Sequence, residues 1–235
     1  GDLNSADDLI KDMDHYGIAK IGISSLSGTV NRIQNDLVYE AHLQYPDRIY
    51  PYAFINPKAP DALQEIDLCL GERKYKAVKF HSWKNGYYAD NTPQLEEVLT
   101  RIEQYGVHVQ THVGTSPLST PFAWIRYAKK HPNLRFVFTH MGCREFAYSV
   151  IEAVRDIPNI YLETSVVYEA DVLKKVKDCV GSKRIVFGTD WPYKSVECEI
   201  QKIYQMGFTE AELEDVFYKN AEQLWTIKGG SKNEH

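Results

Sequence analysis

Two patterns of apolar and polar residues alternate along this chain. Segments with apolar residues three or four positions apart, as in an amphipathic helix, are followed by short apolar runs of strand length. The first such segment predicts a helix over Ser5–Tyr16, with Ser5 as N-cap and with Leu9 and Met13 on one face. The run Ala19–Leu26 then predicts a buried strand.

This helix-strand couplet recurs along the chain. The predicted helices are Arg32–Tyr45, Asp61–Leu70, Thr92–Tyr105, Pro121–Lys130, Glu145–Arg155 and Glu169–Cys179. The strands that follow them in turn are Ile49–Ile55, Ala77–His81, Val107–His112, Arg135–His140, Ile160–Glu163 and Arg184–Thr189. Two closing helices are predicted over Val196–Met206 and Glu210–Trp225. Strands that alternate with helices indicate a parallel sheet covered by helices.

The predicted fold is α/β, a (β/α)8 TIM-type barrel that lacks its first strand in this sequence, since the pattern begins with a helix. A length of 235 residues suits one such barrel. We therefore expect a single barrel domain over residues 1–228 and a polar tail over 229–235. A doubly wound open sheet is the competing fold, but no glycine-rich phosphate-binding motif follows any strand.

Composition limits the classes of function. Hydrophobic residues make up 43% of the chain and charged residues 25%, which is ordinary for a soluble globular protein. The net charge is -5, and the basic residues form no stripe of the kind that binds nucleic acid. The four cysteines lie far apart, which favours reduced thiols over disulfides or a zinc ribbon. No signal peptide or membrane-spanning run is evident, so we expect a cytoplasmic protein that acts on a small molecule, with a homo-oligomer left open.

Polar residues at the ends of three apolar strands point to chemistry. His112, His140 and Asp190 each end a predicted strand, and the active sites of α/β barrels lie at the carboxyl ends of the strands. Two imidazoles and a carboxylate form a ligand set that Zn²⁺, Mn²⁺ or Fe²⁺ accepts. We therefore expect the three side chains to converge, close enough to share one ion or one water molecule.

A fourth strand end supplies candidates for substrate binding. Lys79 lies two positions before His81, so both side chains point to the same face of the strand. The loop that follows contains aromatic residues that could wall a cyclic substrate, namely Trp83, Tyr87 and Tyr88. Arg144, at the start of a predicted helix, is a further candidate for binding a substrate carboxylate.

At these residues the chain resembles the amidohydrolase superfamily, in the amidohydrolase-related branch that includes aminocarboxymuconate-semialdehyde decarboxylase, resorcylate decarboxylases and pyrone-dicarboxylate lactonase. The resemblance spans nearly the whole chain. Its motifs are Asp12–Lys20, Tyr45–Arg48, Ile55–Pro57, Val78–His81, Thr111–Gly114, Thr139–Gly142, Phe187–Pro192 and Asn220–Leu224.

The resemblance implies a role for each strand-end residue. His112 and Asp190 correspond to metal ligands, and Asp190 also to a group that takes a proton from water. His140 corresponds to a residue that polarises the substrate or transfers a proton. Lys79 and His81 lie where the family places a residue that faces the substrate.

One departure from the family concerns the metal. The family's first strand carries a His-X-His pair that supplies two metal ligands, and this sequence has no such pair, which favours a chain that lacks an N-terminal segment. The expected cofactor is a divalent metal, zinc first and Mn or Fe as alternatives. With His112 and Asp190 as its only assured ligands, the chain as given is expected to bind metal weakly or not at all.

The expected function is that of a metal-dependent hydrolase, in which activated water attacks a small carboxylated or cyclic substrate. A metal-dependent decarboxylase and a metal-independent lactonase are alternatives on the same fold. A barrel that binds a ligand without catalysis is the remaining alternative.

Overall fold

Seven strands form one parallel sheet, and each strand pairs with the next along the chain. The computed structural model describes residues 5–227. The strands are β1 Ile21–Ile23, β2 Ile49–Phe54, β3 Ala77–Phe80, β4 His108–His112, β5 Phe136–Thr139, β6 Ile160–Glu163 and β7 Ile185–Val186. The sheet curls into an incomplete barrel, because among the described residues no strand joins β7 to β1. The predicted TIM-type barrel that lacks one strand is thereby confirmed.

Helices connect the strands. They are α1 Ala6–Tyr16, α2 Asn31–Gln44, α3 Ala62–Ile66, α4 Ser82–Asn85, α5 Gln94–Tyr105, α6 Pro121–Lys130, α7 Cys143–Ala153, α8 Ala170–Val180, α9 Val196–Tyr204, α10 Glu210–Glu214 and α11 Asn220–Trp225. A wider π-helical turn continues α3 over Asp67–Glu72, and another joins α10 to α11 over Asp215–Lys219. None of the helices within residues 5–227 combines the length and the hydrophobicity that a membrane-spanning segment requires.

The hydrophobic core lies between the sheet and the helices. Strands β3, β5 and β6 are buried along their whole length, as expected for parallel strands covered on both faces. The largest fully buried side chains include Phe54, Phe80, Trp124, Phe136 and Phe138. At the amino ends of the strands, α11 closes the barrel, since His108 Nδ1 lies 3.2 Å from the carbonyl oxygen of Leu224. The opposite ends remain open for a site.

The two edge strands are shorter than the apolar runs that predicted them. The predicted strand Ala19–Leu26 is observed only over Ile21–Ile23, and the predicted strand Arg184–Thr189 only over Ile185–Val186. Each edge strand has one neighbour, so half of its backbone groups lack a partner within the sheet. After β7 the Phe187 amide donates to the carbonyl of Val216 instead. The predicted tail 229–235 and the domain boundary at 228 lie outside the described residues.

Candidate active site

A large cavity runs through the open barrel. Its volume is about 1850 Å³, and its wall includes residues of β1 and β7, the two unpaired edges. His112, His140 and Asp190 all line it, as do Lys79, His81 and Trp83. Six of the seven predicted site residues therefore lie on one cavity at the carboxyl ends of the strands.

His112 ends β4 and packs directly against His140. Their ring centroids are 5.0 Å apart in an edge-to-face arrangement. The turn after His112 is tight, since a Cβ on Gly114 would lie 2.6 Å from the carbonyl oxygen of Gly142. His112 Nε2 lies 3.0 Å from the hydroxyl of Thr115, which donates its own proton to the Gly114 carbonyl at 2.7 Å. The hydroxyl therefore accepts a proton from Nε2, and Nε2 of His112 is a donor.

His140 is held in a strained turn that follows β5. His140, Met141 and Cys143 have positive φ angles of 65°, 49° and 49°, and Gly142 has 86°. Non-glycine residues rarely adopt this region, and surrounding contacts must stabilise it. One such contact is the His140 amide, which donates to Glu163 Oε2 at 3.1 Å.

The tautomer of His140 follows from its partners. Nδ1 lies 2.8 Å from the hydroxyl of Ser165 and 3.3 Å from the Ser165 carbonyl oxygen. The hydroxyl donates its single proton to Glu163 Oε2 at 2.8 Å, and a carbonyl can only accept. Nδ1 of the neutral ring must therefore carry the proton, which leaves Nε2 with its lone pair.

Glu163, which sequence analysis did not single out, organises this corner of the site. It ends β6, is buried, and accepts from the His140 amide, the Ser165 amide at 2.7 Å and the Ser165 hydroxyl. Gly188 makes room for it, since a Cβ there would lie 1.9 Å from Glu163 Oε1. The sequence signal was present, because Glu163 ends an apolar strand as His112, His140 and Asp190 do.

Asp190 follows β7 and lines the cavity with a positive φ of 50°. The loop is tied to α1, because Trp191 Nε1 donates to Asp12 at 2.7 Å. Burial, followed by the nearby negative charge of Glu163, raises the pKa of Asp190 to about 6. Asp190 can therefore exchange a proton near neutral pH.

The imidazoles and Lys79 are shifted towards their neutral forms. Burial, followed by neighbouring ionisable groups, lowers the pKa of His140 to about 3 and the pKa values of His81 and His112 to about 2. Burial also lowers the pKa of Lys79 to about 8, against the opposing effect of Glu163 and Asp190. Its ammonium lies 3.4 Å from the hydroxyl of Thr139.

The remaining predicted residues lie at the mouth of the cavity or outside it. His81 stacks on His112, and Trp83, 54% exposed, lies 5.6 Å from His81 between ring centroids. Arg144 does not line the cavity; its side chain is 83% exposed and pairs with Glu169 at 2.7 Å. Its predicted contact with a substrate carboxylate therefore has no support from its position.

The predicted metal site is not assembled by the described residues. Within residues 5–227, no three His, Cys, Asp or Glu side chains lie close enough together to hold one ion. His112 and Asp190 share the cavity, but Nε2 of His112 already donates to Thr115. The residues present thus do not fit a metal ion in this arrangement, and zinc stays a prediction.

Comparisons with known proteins agree with this fold. The amidohydrolase family model matches residues 3–227. A 2,6-dihydroxybenzoate decarboxylase from Rhizobium superposes with a TM-score of 0.80 at 18% identity, over 97% of this chain and 90% of that one. No match is found among curated protein sequences.

Two further solved structures are similar. A dihydroxybenzoic acid decarboxylase from Polaromonas, with bound manganese and 2-nitroresorcinol, has a TM-score of 0.79 at 19% identity, over 95% of this chain and 86% of that one. A 5-carboxyvanillate decarboxylase from Novosphingobium aromaticivorans, complexed with manganese, has a TM-score of 0.79 at 21% identity, over 95% of this chain and 80% of that one. Since the family model covers nearly the whole chain, this protein belongs to the amidohydrolase family, as its motifs predicted.

Proposed function

We propose that this chain carries the active site of a decarboxylase that removes CO2 from a small aromatic carboxylic acid. The observation that carries the proposal is Asp190, a carboxyl group with a pKa of about 6 on the same cavity as the buried cation Lys79. Decarboxylation of an aromatic acid needs a proton donor for the ring carbon and a cation for the substrate anion. The similar solved structures named above are decarboxylases of such acids.

Asp190 would supply the proton. It would protonate the ring carbon that bears the carboxylate; the bond to the carboxylate carbon then breaks, its electron pair restores the aromatic ring, and CO2 leaves. A bound substrate carboxylate adds negative charge to the cavity and raises the pKa of Asp190 further, which favours the protonated donor. Solvent at the open mouth would return the proton to Asp190 after each turnover.

The other cavity residues would bind and orient the acid. The ammonium of Lys79 stabilises the substrate anion, and burial strengthens that attraction relative to water. Nε2 of His140 presents a lone pair that can accept a hydrogen bond from a ring hydroxyl next to the carboxylate. The stacked pair of His81 and His112 gives the ring a flat wall, and Trp83 covers it from the mouth.

A hydrolase is the second candidate, and membership of the amidohydrolase family favours it. In that reaction Asp190 would take a proton from water that attacks a lactone or amide. Neither sequence of steps uses a metal ion, because the described residues do not bring together a set of ligands for one.

Product analysis separates the two candidates. The protein is incubated with 2,6-dihydroxybenzoate or 5-carboxyvanillate, and in parallel with aryl lactones and amides, with and without added Mn²⁺. The proposal expects release of CO2 and the decarboxylated phenol. Lactone or amide cleavage without CO2 release from any acid would overturn it in favour of the hydrolase.

A further inference from the structure

A buried ion pair lies behind the active site on α9. Glu199 and Lys202, one helical turn apart, are 0% and 8% exposed and form a direct ion pair. Burying two charges costs desolvation free energy that their attraction does not always recover, so such a pair is weak evidence for stability. Its contacts suggest another role.

The pair forms hydrogen bonds with backbone groups of the loop after β6 on both sides of Ser165. Lys202 Nζ donates to the carbonyl oxygen of Thr164 at 2.6 Å, and Glu199 Oε1 accepts from the amide of Val166 at 3.1 Å. Thr164 and Val166 are the two chain neighbours of Ser165. The pair therefore fixes the peptide groups on either side of this serine.

Two further features show how tightly this loop is held. Val166 has a φ of 72°, a conformation that a β-branched residue adopts only when its surroundings impose it. The ring of Tyr168 covers Lys202, with the ammonium 4.7 Å from the ring centroid, and its hydroxyl donates to Glu199. We call these three residues, Glu199, Lys202 and Tyr168, the clamp, because together they hold this loop.

Ser165 connects the clamp to His140. Its hydroxyl and its carbonyl both accept from Nδ1 of His140, and this keeps the lone pair on Nε2. Rotation of either peptide group that flanks Ser165 would move these two acceptors together. We propose that the Glu199–Lys202 pair is a positioning device that holds His140 in the Nδ1–H tautomer through Ser165.

This inference rests on the proposed function only in assigning His140 a contact with substrate. The main test variant is Glu199→Gln with Lys202→Met, which removes both charges and keeps the side-chain lengths similar. The matched control is Glu65→Gln, since Glu65 is also a buried carboxylate, 1% exposed, and pairs with Arg32 away from the cavity. Lys202→Arg serves as the conservative rescue, because arginine keeps the charge and the donors.

The primary readout is the tautomer of the His140 ring by ¹⁵N NMR, assigned by comparison with His140→Gln. Wild type, Glu65→Gln and Lys202→Arg should show proton occupancy at Nδ1 alone. The double variant should show a mixture with the Nε2–H form, as should Ser165→Ala. A folded double variant that keeps the pure Nδ1–H form, or a control that shifts equally, would overturn the proposal.

Should the double variant fail to fold, Glu199→Gln alone provides the test. Its single amide oxygen must serve Val166, Tyr168 and Lys202 together, so the same signal should move in the same direction by a smaller amount. An unchanged His140 signal in this variant would likewise overturn the proposal.

Kinetics give an independent readout. The double variant should lower kcat by about 10- to 100-fold, the range found when hydrogen-bond partners that orient a metal-bound histidine are removed, while KM changes less than about twofold. A fall in kcat equal to that of Glu65→Gln contradicts a positioning role. The NMR signal needs no turnover. If the wild-type protein is inactive but the double variant still shows the expected tautomer shift, the proposed function alone is refuted. Activity with an unchanged tautomer refutes this inference alone.

Discussion

The imidazole rings of His81 and His112 stack face to face, with centroids 4.1 Å apart and planes inclined by 10°. Nδ1 of His81 accepts the amide proton of Lys84 at 3.3 Å, which places the proton of the neutral ring on Nε2. Two protonated imidazoles at this distance would repel each other strongly in a buried site. The stack is therefore built from two neutral rings.

This neutrality makes stability depend on pH. The folded pKa values of His81, His112 and His140 are about 2, 2 and 3, below the value of about 6.5 expected in the unfolded chain. Between these limits the unfolded state binds more protons, so stability is present above pH 6.5 and is lost as the pH falls. Burial also lowers the pKa of His108 to about 3, which adds to this loss. The raised pKa of Asp190, about 6, opposes it with one group against four.

We expect the free energy of unfolding, measured with urea, to fall as the pH is lowered from 7.5 to 5. His112→Asn should reduce the dependence of unfolding free energy on pH by about 1.4 kcal/mol per pH unit below 6, the equivalent of one proton. His15→Asn is the control, because His15 is exposed on α1. An equal slope in wild type and His112→Asn would contradict the neutral stack.

Gly188 should tolerate no side chain. In Gly188→Ala the new Cβ would meet Glu163 and displace the carboxylate that holds His140 and Ser165. We expect a loss of about 2 kcal/mol in unfolding free energy together with loss of activity. Gly71→Ala is the control, since its Cβ would come no closer than 3.2 Å, to the hydroxyl at the tip of Tyr105, which needs to shift by only a few tenths of an ångström. Wild-type stability and activity in Gly188→Ala would show that Glu163 can move freely.

Trp83 should contribute to substrate binding rather than to the chemical step. Its ring lies 6.2 Å from that of His112 and is half exposed at the mouth. Trp83→Ala should raise KM for an aromatic acid about tenfold, since stacking and burial of one aromatic face contribute about 1 kcal/mol or more, and should leave kcat within about twofold. Phe122→Ala removes an exposed aromatic ring that does not line the cavity and should change neither constant.

Metal binding by this chain should be weak. A zinc site usually needs three protein ligands, and the described residues bring no three suitable side chains together. Calorimetric titration with Mn²⁺ or Zn²⁺ should show no tight stoichiometric binding at micromolar protein. One tight equivalent that is lost in both His112→Asn and Asp190→Asn would show that these side chains move together around an ion.

Much of the fold follows from the sequence, since β3, β4, β5 and β6 coincide with apolar runs between amphipathic helices. The same pattern placed His112, His140 and Asp190 at strand ends. The edge strands were predicted too long, because hydrophobicity does not report which strand lacks a neighbour. The short helix α4 was not predicted, because it occupies a polar-aromatic loop.

The residues that position the site side chains are harder to identify from the sequence. Glu163 ends a strand and could have been found by the reasoning that found Asp190. Ser165, Glu199 and Lys202 could not, since their role arises from hydrogen bonds to backbone groups across the fold. A charged pair on α9 looks like an exposed helix face until tertiary contacts bury it. Spacing in sequence does not reveal such contacts.

In the proposed reaction Asp190 protonates the ring carbon from which CO2 departs. The most direct test of this step uses a ¹³C-carboxyl-labelled hydroxybenzoate in D2O, with NMR detection of labelled CO2 and of deuterium on the product ring. We expect one deuterium at the vacated carbon for each CO2 released, and a loss of both in Asp190→Asn with the fold intact. Undiminished CO2 release by Asp190→Asn, or turnover that retains the labelled carboxylate, would contradict it.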